Sequence, residues 1–232
     1  ISAYGEHGAI VHYSADEKSN VPLKEGKLFM TDTGGHYLEG STDITRTVAL
    51  GEVGNTEKEH FTLVARAMLR LANTVFLYGC SGANLDCIAR EVFWKEGLNF
   101  NHGTGHGVGY LLNIHEGPIN FRWKEGERPA PALEENMVIT DEPGIYIEGS
   151  HGIRLENELL VRKTVKNEYG QFMNFEILTY VPIDLDAILP EKMSTEEKEM
   201  LNHYHKQVYD KVSPYLSEEE RIWLKEYTRA VK

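Results

Sequence analysis

Apolar and polar residues alternate along much of the first fifty positions, which is typical of β-strands with one buried face. The pattern predicts three strands, at residues 9–13, 27–32 and 42–50. We expect Gly34 and Gly35 to break the second strand. In the third strand the period of two puts Asp43 on the same face as two threonines, so a polar face is predicted there.

Helical periodicity replaces this alternation after residue 55. Thr56 and Glu59 have the spacing of a capping box, and apolar residues follow at intervals of three and four, so a helix of about five turns is predicted. A second amphipathic helix is expected around residues 85–93, ending at Gly97.

The second half returns to short apolar segments before ending in helices. Four strands are predicted, at residues 137–140, 145–147, 152–161 and 172–181. Residues 102–109, which are rich in glycine and histidine, are expected to form a loop or irregular strand. Two capping boxes, beginning at Ser194 and Ser217, predict two C-terminal helices separated by Pro214.

The charge of the chain narrows the classes of partner. The 232 residues include 24 basic and 36 acidic side chains, a net charge of −12, which disfavours binding to nucleic acid phosphates. Clustered carboxylates instead favour cation binding. No apolar run reaches the length of a membrane span. Two cysteines make no disulfide framework, so a reducing compartment such as the cytoplasm is predicted.

Two predicted β-hairpins carry a carboxylate on each arm. Asp32 and Asp43 lie 11 residues apart around one turn, and Glu142 and Glu156 lie 14 apart around another. Carboxylates clustered inside a protein repel one another unless cations lie between them. The sequence therefore suggests two similar halves that face each other across a metal site.

Two divalent ions sharing bridging carboxylates would satisfy such a cluster. Oxygen ligands with one imidazole suit Mn²⁺, Co²⁺, Fe²⁺ or Zn²⁺. The imidazole candidates are His102, His106 and His115. Taken singly, each residue has a plainer explanation: Asp32 could bond to amides of its own turn, and His106 could be a structural histidine. The interpretation rests on the whole set.

Several stretches together resemble a known family. They are residues 28–34 (LFMTDTG), 42–47 (TDITRT), 102–109 (HGTGHGVG), 113–118 (NIHEGP), 140–144 (TDEPG) and 152–157 (GIRLEN). They resemble the catalytic domain of Xaa-Pro aminopeptidase (aminopeptidase P), most closely its long, three-domain form. The resemblance extends from about residue 12 to the C-terminal helices.

This resemblance implies an α+β pita-bread fold, with two pseudo-symmetric αβ halves and a curved antiparallel sheet covered by helices. It also implies that residues 1–232 are a single C-terminal catalytic domain, truncated at its N-terminus and without the two preceding domains and its own first helices. The family usually forms homodimers.

The family's site residues transfer position by position. The resemblance implies that Asp32 chelates one metal, that Asp43 and Glu156 bridge both, and that His106 and Glu142 complete the other. Two divalent ions, usually Mn²⁺, are implied.

The implied reaction is hydrolysis of the N-terminal Xaa-Pro bond by a metal-activated water, on peptides with proline at the second position. The implied catalytic residues are Glu142, His115 and His102. Substrate contacts are implied for His12, His102, His115, Tyr146 and Arg154.

Other functions compete with this interpretation. Prolidase, which cleaves Xaa-Pro dipeptides, and methionine aminopeptidase share the ligand set. Some pita-bread proteins are non-catalytic binding modules, but those lack several of the ligands present here. An aspartic protease, suggested by Asp32-Thr33-Gly34, needs a second such loop, and only one occurs.

The remaining polar positions are given plain interpretations. Four histidines, namely His36, His60, His203 and His205, are expected at the surface. Another, His151, is expected to lie outside the site. We expect Cys87 to be a small core residue.

Overall fold

The computed structural model describes residues 1–124 and 130–232. Within them the chain forms strands β1–β11, at Ser2–Tyr4, Lys27–Tyr37, Gly40–Leu50, Phe76–Leu77, Gly105–His106, Asn120–Phe121, Val138–Asp141, Gly144–Ile147, His151–Arg154, Asn157–Asn167 and Gly170–Ile177. Helices α1–α4 are Asn55–Ala72, Gly82–Lys95, Thr195–Val212 and Glu218–Tyr227. Short 3₁₀ helices cover Gly5–Ala9, Leu185–Ala187, Pro190–Lys192 and Ser213–Tyr215.

All of the strand ladders are antiparallel. One sheet has the order β1-β2-β3 and a second has the order β4-β11-β10-β7, while β5-β6 and β8-β9 form two-stranded ladders. A backbone hydrogen bond of 3.0 Å from Glu156 N to Thr45 O joins β3 to the start of β10. The two sheets therefore meet where the predicted acidic residues lie.

The helices have the amphipathic character that the sequence predicts. The 18 residues of α1 make five turns, and Phe61, Val64 and Met68 on its apolar face are fully buried. Both C-terminal capping boxes are present, at Ser194 and at Ser217. The helix α2 ends as predicted, with Gly97 just after it in the left-handed region, at φ +70°.

Two predictions in the first half are wrong. Residues 9–13 form the end of a 3₁₀ helix and a turn, because Gly8 packs against the backbone of Gly152 in β9. Strand β2 is not broken at its glycines but continues to Tyr37. A Cβ on Gly34 would lie 2.1 Å from the carbonyl oxygen of Thr42, so this glycine permits close strand pairing rather than a turn.

Further corrections concern element boundaries. The segment 152–161 is two strands, interrupted at Leu155 and Glu156, where the chain crosses to pair with β7. The helix α1 begins after Gly54 rather than at the predicted capping box of Thr56.

Burial corrects two predictions about single residues. His205 is fully buried rather than at the surface, and Cys87 is exposed rather than in the core. Of the helices that the structure describes, none has an apolar stretch long enough to cross a membrane.

Candidate functional site

The β2–β3 hairpin puts two carboxylates on one face. Asp32 pairs directly with Thr45, and Asp43 lies two residues before Thr45, so the three side chains project from the same side of the ladder. The strand face predicted from the sequence is confirmed.

The second pair of carboxylates comes from the β7–β10 region. Glu156 lies in the gap between β9 and β10 and is 2% exposed, and its Oε2 accepts a 2.7 Å hydrogen bond from Thr45 Oγ1. Glu142 follows β7, its amide donates to the Thr104 carbonyl at 2.7 Å, and its Oε1 accepts from Thr140 Oγ1 at 3.1 Å. Each carboxylate is thus fixed by a threonine on a strand.

The glycine-rich segment brings His106 against these carboxylates. Its Nδ1 lies 3.0 Å from the Gly107 carbonyl oxygen, which leaves Nε2 facing Glu142 Oε1 at 3.4 Å and Asp43 Oδ2 at 3.6 Å. Strand β5 approaches β7 closely because residue 105 is glycine: a Cβ there would lie 1.8 Å from the Thr140 carbonyl oxygen. The ligand atoms of Asp43, His106 and Glu156 all lie within 4.8 Å of one another.

Burial and mutual repulsion disfavour charge on these acids. Burial, followed by the nearby charges of Glu142 and Asp43, holds the pKa of Glu156 well above its usual range. Burial also raises the pKa of Glu142 to about 7. Burial opposes protonation of His106, but contact with Asp43, the Gly107 carbonyl and Glu142 raises its pKa overall.

The donor set fits divalent cations. Carboxylate oxygens and one imidazole nitrogen converge from three separate elements, which is the ligand chemistry of hard or borderline divalent metals. A cation between these side chains would offset the repulsion that otherwise disfavours their ionised forms.

Asp32 lies at the edge of this cluster and is held by an arginine. Nη2 of Arg154 donates to Asp32 Oδ2 at 2.5 Å, and its Nη1 donates to the Tyr146 hydroxyl at 3.0 Å. The same hydroxyl lies 2.9 Å from Nε2 of His102, whose pKa burial lowers to about 4. A continuous polar chain therefore connects Asp32 to His102.

A cavity of about 570 Å³ opens over the cluster. All of the predicted site residues except Tyr146 line it; they are His12, Asp32, Asp43, His102, His106, His115, Glu142, Arg154 and Glu156. Tyr146 does not line the cavity itself but contacts two residues that do, His102 and Arg154. His36, predicted to be a surface residue, is exposed but also lines the cavity.

The other histidine predictions have mixed outcomes. His151 is 3% exposed and does not line the cavity; its Nε2 lies 2.8 Å from Nδ1 of the half-buried His60. These two histidines therefore contact each other rather than the site. His203 is exposed, as predicted.

Sequence reasoning missed two buried networks that support the site. Asp86 in α2 is fully buried and accepts from Arg90 Nε at 2.6 Å, from the Trp123 amide at 2.6 Å and from the Thr104 hydroxyl. Arg90 also donates to the His102 carbonyl at 2.7 Å. An Asp and an Arg four residues apart on an otherwise apolar helix face are the signal that could have identified this pair.

Arg46 forms the second network. Its guanidinium donates to the Glu156 carbonyl at 2.5 Å, to Asn157 Oδ1 at 2.7 Å and to the Tyr204 hydroxyl at 2.7 Å. It thereby links β3, the start of β10 and α3.

Comparison with known proteins agrees with this geometry. Residues 1–163 match the model of metallopeptidase family M24, and residues 171–231 match the model of the C-terminal region of peptidase M24. The chain belongs to metallopeptidase family M24.

Two curated relatives of the chain are both named as aminopeptidases P. A probable Xaa-Pro aminopeptidase P of Paracoccidioides brasiliensis (strain Pb03) is 39% identical over 236 aligned positions, and aminopeptidase P1 of Arabidopsis thaliana is 39% identical over 234. Each alignment covers 100% of this chain but only 38% and 36% of the relative, respectively. The chain thus spans little more than a third of the length of these relatives.

Solved structures place the chain in the pita-bread fold. X-prolyl aminopeptidase of Caenorhabditis elegans, described as a cytosolic enzyme with a dinuclear active site, has a TM-score of 0.93 and 37% identity, over 100% of this chain and 38% of that one. An Xaa-Pro dipeptidase from Bacillus anthracis has a TM-score of 0.63 and 34% identity, over 80% of this chain and 47% of that one. The predicted fold class is confirmed.

Proposed function

We propose that the protein is a metal-dependent aminopeptidase that hydrolyses the N-terminal Xaa-Pro bond of peptides. The observation that carries this proposal is the convergence of Asp43, His106 and Glu156 within 4.8 Å, in a chain whose relatives along its whole length are named as aminopeptidases of this type. Residues 1–232 would act as one catalytic domain.

The proposed metal ligands follow from the cluster. Asp43 in β3 and Glu156, just before β10, would be shared by two divalent ions, most simply Mn²⁺. Asp32 would complete the coordination of one ion, while His106 and Glu142 would complete that of the other. The dinuclear site described for the C. elegans enzyme supports the number of ions.

Bound divalent cations would supply Lewis acidity and lower the pKa of a water, which makes it nucleophilic at neutral pH. Glu142, which lines the cavity, would take the proton of that water and deliver it to the leaving nitrogen. His115, whose ring centroid is 4.3 Å from that of His106, would donate a hydrogen bond to the developing oxyanion. His102, which also lines the cavity, would support this step.

The same cavity would receive the substrate. His12 and His102 line it and would flank the proline ring, which needs apolar and aromatic contact because its nitrogen carries no hydrogen. Arg154 would hold Asp32 and Tyr146 in position through the two hydrogen bonds already described.

Prolidase activity is the second candidate, because a dipeptidase shares the fold over 80% of this chain. The higher TM-score and full coverage of the C. elegans enzyme favour the aminopeptidase. A cytosolic location is part of the proposal and is supported by the description of the C. elegans enzyme as cytosolic. A homodimer is also proposed, on the family resemblance alone.

The test is release of the first residue from an Xaa-Pro-Yaa tripeptide and from an Xaa-Pro dipeptide by the intact protein supplied with Mn²⁺. We expect the tripeptide to be cleaved and the dipeptide to be a poor substrate. Glu142→Gln should lower kcat by about 10²–10⁴-fold, because it removes the proton acceptor. Cleavage of the dipeptide alone would favour prolidase, and no turnover of either peptide would refute both functions.

A matched control is available on the same hairpin. Glu148 follows β8 and is exposed, so Glu148→Gln removes one carboxylate without reaching the cavity. This variant should keep the kcat of the wild type.

A further inference from the structure

A smaller cavity of about 150 Å³ adjoins the catalytic one and shares two lining residues with it, His102 and Arg122. Its other lining residues include the cations Arg90 and Lys124. Because Arg90 is paired with the buried Asp86, Arg122 and Lys124 are the cations of this cavity that a substrate could meet.

Arg122 is the cation best placed to meet a substrate. Of the two arginines among the described residues that line the larger cavity, Arg154 is engaged by Asp32 and Tyr146. Arg122 is exposed and makes no hydrogen bond or ion pair with the residues that the structure describes. Its guanidinium can therefore bind an anion without breaking a contact described here.

The side chain of Arg122 lies across the backbone of Gly103. A Cβ built on Gly103 would be 3.0 Å from both Cγ and Nε of Arg122, so the arginine side chain lies directly against this glycine. Because Gly103 lines the larger cavity and follows His102, this packing directs Arg122 along the wall on which the proline is proposed to bind.

Strand register shows how far along the chain Arg122 lies from the residue that pairs with His106. His106 pairs with Asn120 in the β5–β6 ladder, and Arg122 lies two residues beyond Asn120, about 6.7 Å along an extended chain. Two substrate residues that follow the scissile bond, proline and one more, span about the same length. The C-terminal carboxylate of a tripeptide would thus reach Arg122.

We propose that Arg122 forms a subsite for the C-terminal carboxylate of tripeptides of the form Xaa-Pro-Yaa, so that free tripeptides are preferred to longer peptides. This inference rests on the proposed function and adds the substrate class. A guanidinium binds a carboxylate through two parallel hydrogen bonds, which a peptide amide cannot accept in the same way.

The experiment compares Ala-Pro-Ala with its C-terminal amide, using the intact Mn²⁺-loaded protein. The wild type should have a kcat/KM about tenfold higher for the free acid. Arg122→Gln should abolish this ratio by slowing only the acid, whereas Arg122→Lys should keep part of it. An acid-to-amide ratio that is unchanged in Arg122→Gln would overturn the proposal.

Arg162→Gln serves as the charge control, because Arg162 is an exposed arginine of β10 that pairs with Glu176 and lines neither cavity. It should retain the wild-type ratio; a ratio lost in this variant too would overturn the assignment to Arg122.

Calorimetric binding of the same two peptides tests the subsite without turnover. If neither peptide is cleaved, the proposed function fails, but the subsite stands if the acid binds about tenfold more tightly than the amide in the wild type only. Equal affinities in the wild type would overturn the subsite itself.

Discussion

At the scale of single residues, hydrogen bonds between polar side chains hold the site residues in position. Thr45 donates to Glu156, Thr140 donates to Glu142, and Asp86 accepts from Thr104 and Arg90. Except for Glu142, which is partly exposed to the cavity, these groups are buried, so the loss of one partner leaves the other buried and unpaired, which typically costs about 1–3 kcal/mol.

His205 gives a pH-dependent prediction at this scale. Burial, with the positive charges of Arg46 and Arg229 nearby, lowers its pKa to about 4, whereas an unfolded histidine titrates near 6.5. Between pH 6.5 and pH 4 the unfolded state therefore binds a proton at this histidine more tightly than the folded state does. Titration of His205 should lower the free energy of unfolding by about 3 kcal/mol as the pH falls from 6.5 to 4. In His205→Gln, whose amide oxygen can still accept from Ile183 N, stability should fall less steeply with pH, as measured by urea denaturation.

The control is His203→Gln, two residues away on the same helix but exposed. Its stability should follow the pH dependence of the wild type. Parallel curves for the wild type and His205→Gln would contradict the prediction.

At the scale of elements, glycines determine how closely strands and helices approach. Gly34 lies against β3, Gly105 against β7, and Gly82, at the start of α2, lies against the carbonyl of Asn120 in β6. Gly34 allows close pairing within one hairpin, whereas Gly105 and Gly82 bring together elements that are distant in sequence. These contacts explain why the glycine-rich pattern belongs to the site rather than to flexible turns.

Gly82→Ala should destabilise the fold. Its Cβ would lie 1.7 Å from the Asn120 carbonyl oxygen, so α2 and β6 must move apart, at a cost of about 1–3 kcal/mol in free energy of unfolding. Denaturant unfolding measures this loss. Since β6 pairs with the strand of His106, metal affinity should fall as well.

Gly54→Ser is the matched control, because its Cβ meets only the end of the flexible Glu57 side chain and serine is a good N-cap for α1. It should change stability by less than about 0.5 kcal/mol. Equal effects of the two substitutions would show that the close contact is not the cause.

Locally encoded elements were predicted well from sequence. The C-terminal helices begin at their capping boxes because Ser194 and Glu197 satisfy each other within one turn. The strand at residues 9–13 was wrong because its conformation depends on Gly152, far away in sequence. His205 was misjudged for the same reason: its partner, Ile183 N, belongs to another segment.

For the site too, the sequence predicted some features and not others. Residue types and order were sufficient to select the acidic and histidine side chains that the structure brings together. Neither could predict the hydrogen bond from Arg154 to Asp32 or the contacts made by Asp86 and Arg46, because these depend on packing between elements that are distant in sequence.

At the scale of the whole molecule, the site is assembled from both sheets. Asp43 comes from the first and Glu156 from the start of the second, and they are joined through Thr45. Any ligand that binds this pair in the folded state alone will therefore stabilise the whole fold rather than one hairpin.

Metal should consequently raise the melting temperature. Mn²⁺ at 100 times its Kd should add about 2.7 kcal/mol to the free energy of unfolding, and a chelator should remove this gain. Asp43→Asn and Glu156→Gln should each abolish most of the shift, as measured by calorimetry. Asp210→Asn, at an exposed position in α3, should leave it intact.

A melting temperature that is insensitive to both Mn²⁺ and chelator in the wild type would contradict the two-sheet metal site. A shift that survives Asp43→Asn would contradict the assignment of that ligand.

The guanidinium of Arg46 has a consequence for protein engineering. It donates hydrogen bonds both to the backbone carbonyl of Glu156 and to the hydroxyl of Tyr204, a residue that lies beyond the segment matching the main family model. A smaller protein designed to carry the same acidic residues would therefore need to include α3. Otherwise it would need new hydrogen-bond acceptors for the five N–H groups of the Arg46 guanidinium. The segment that matches the main family model therefore depends on α3 for the position of Glu156.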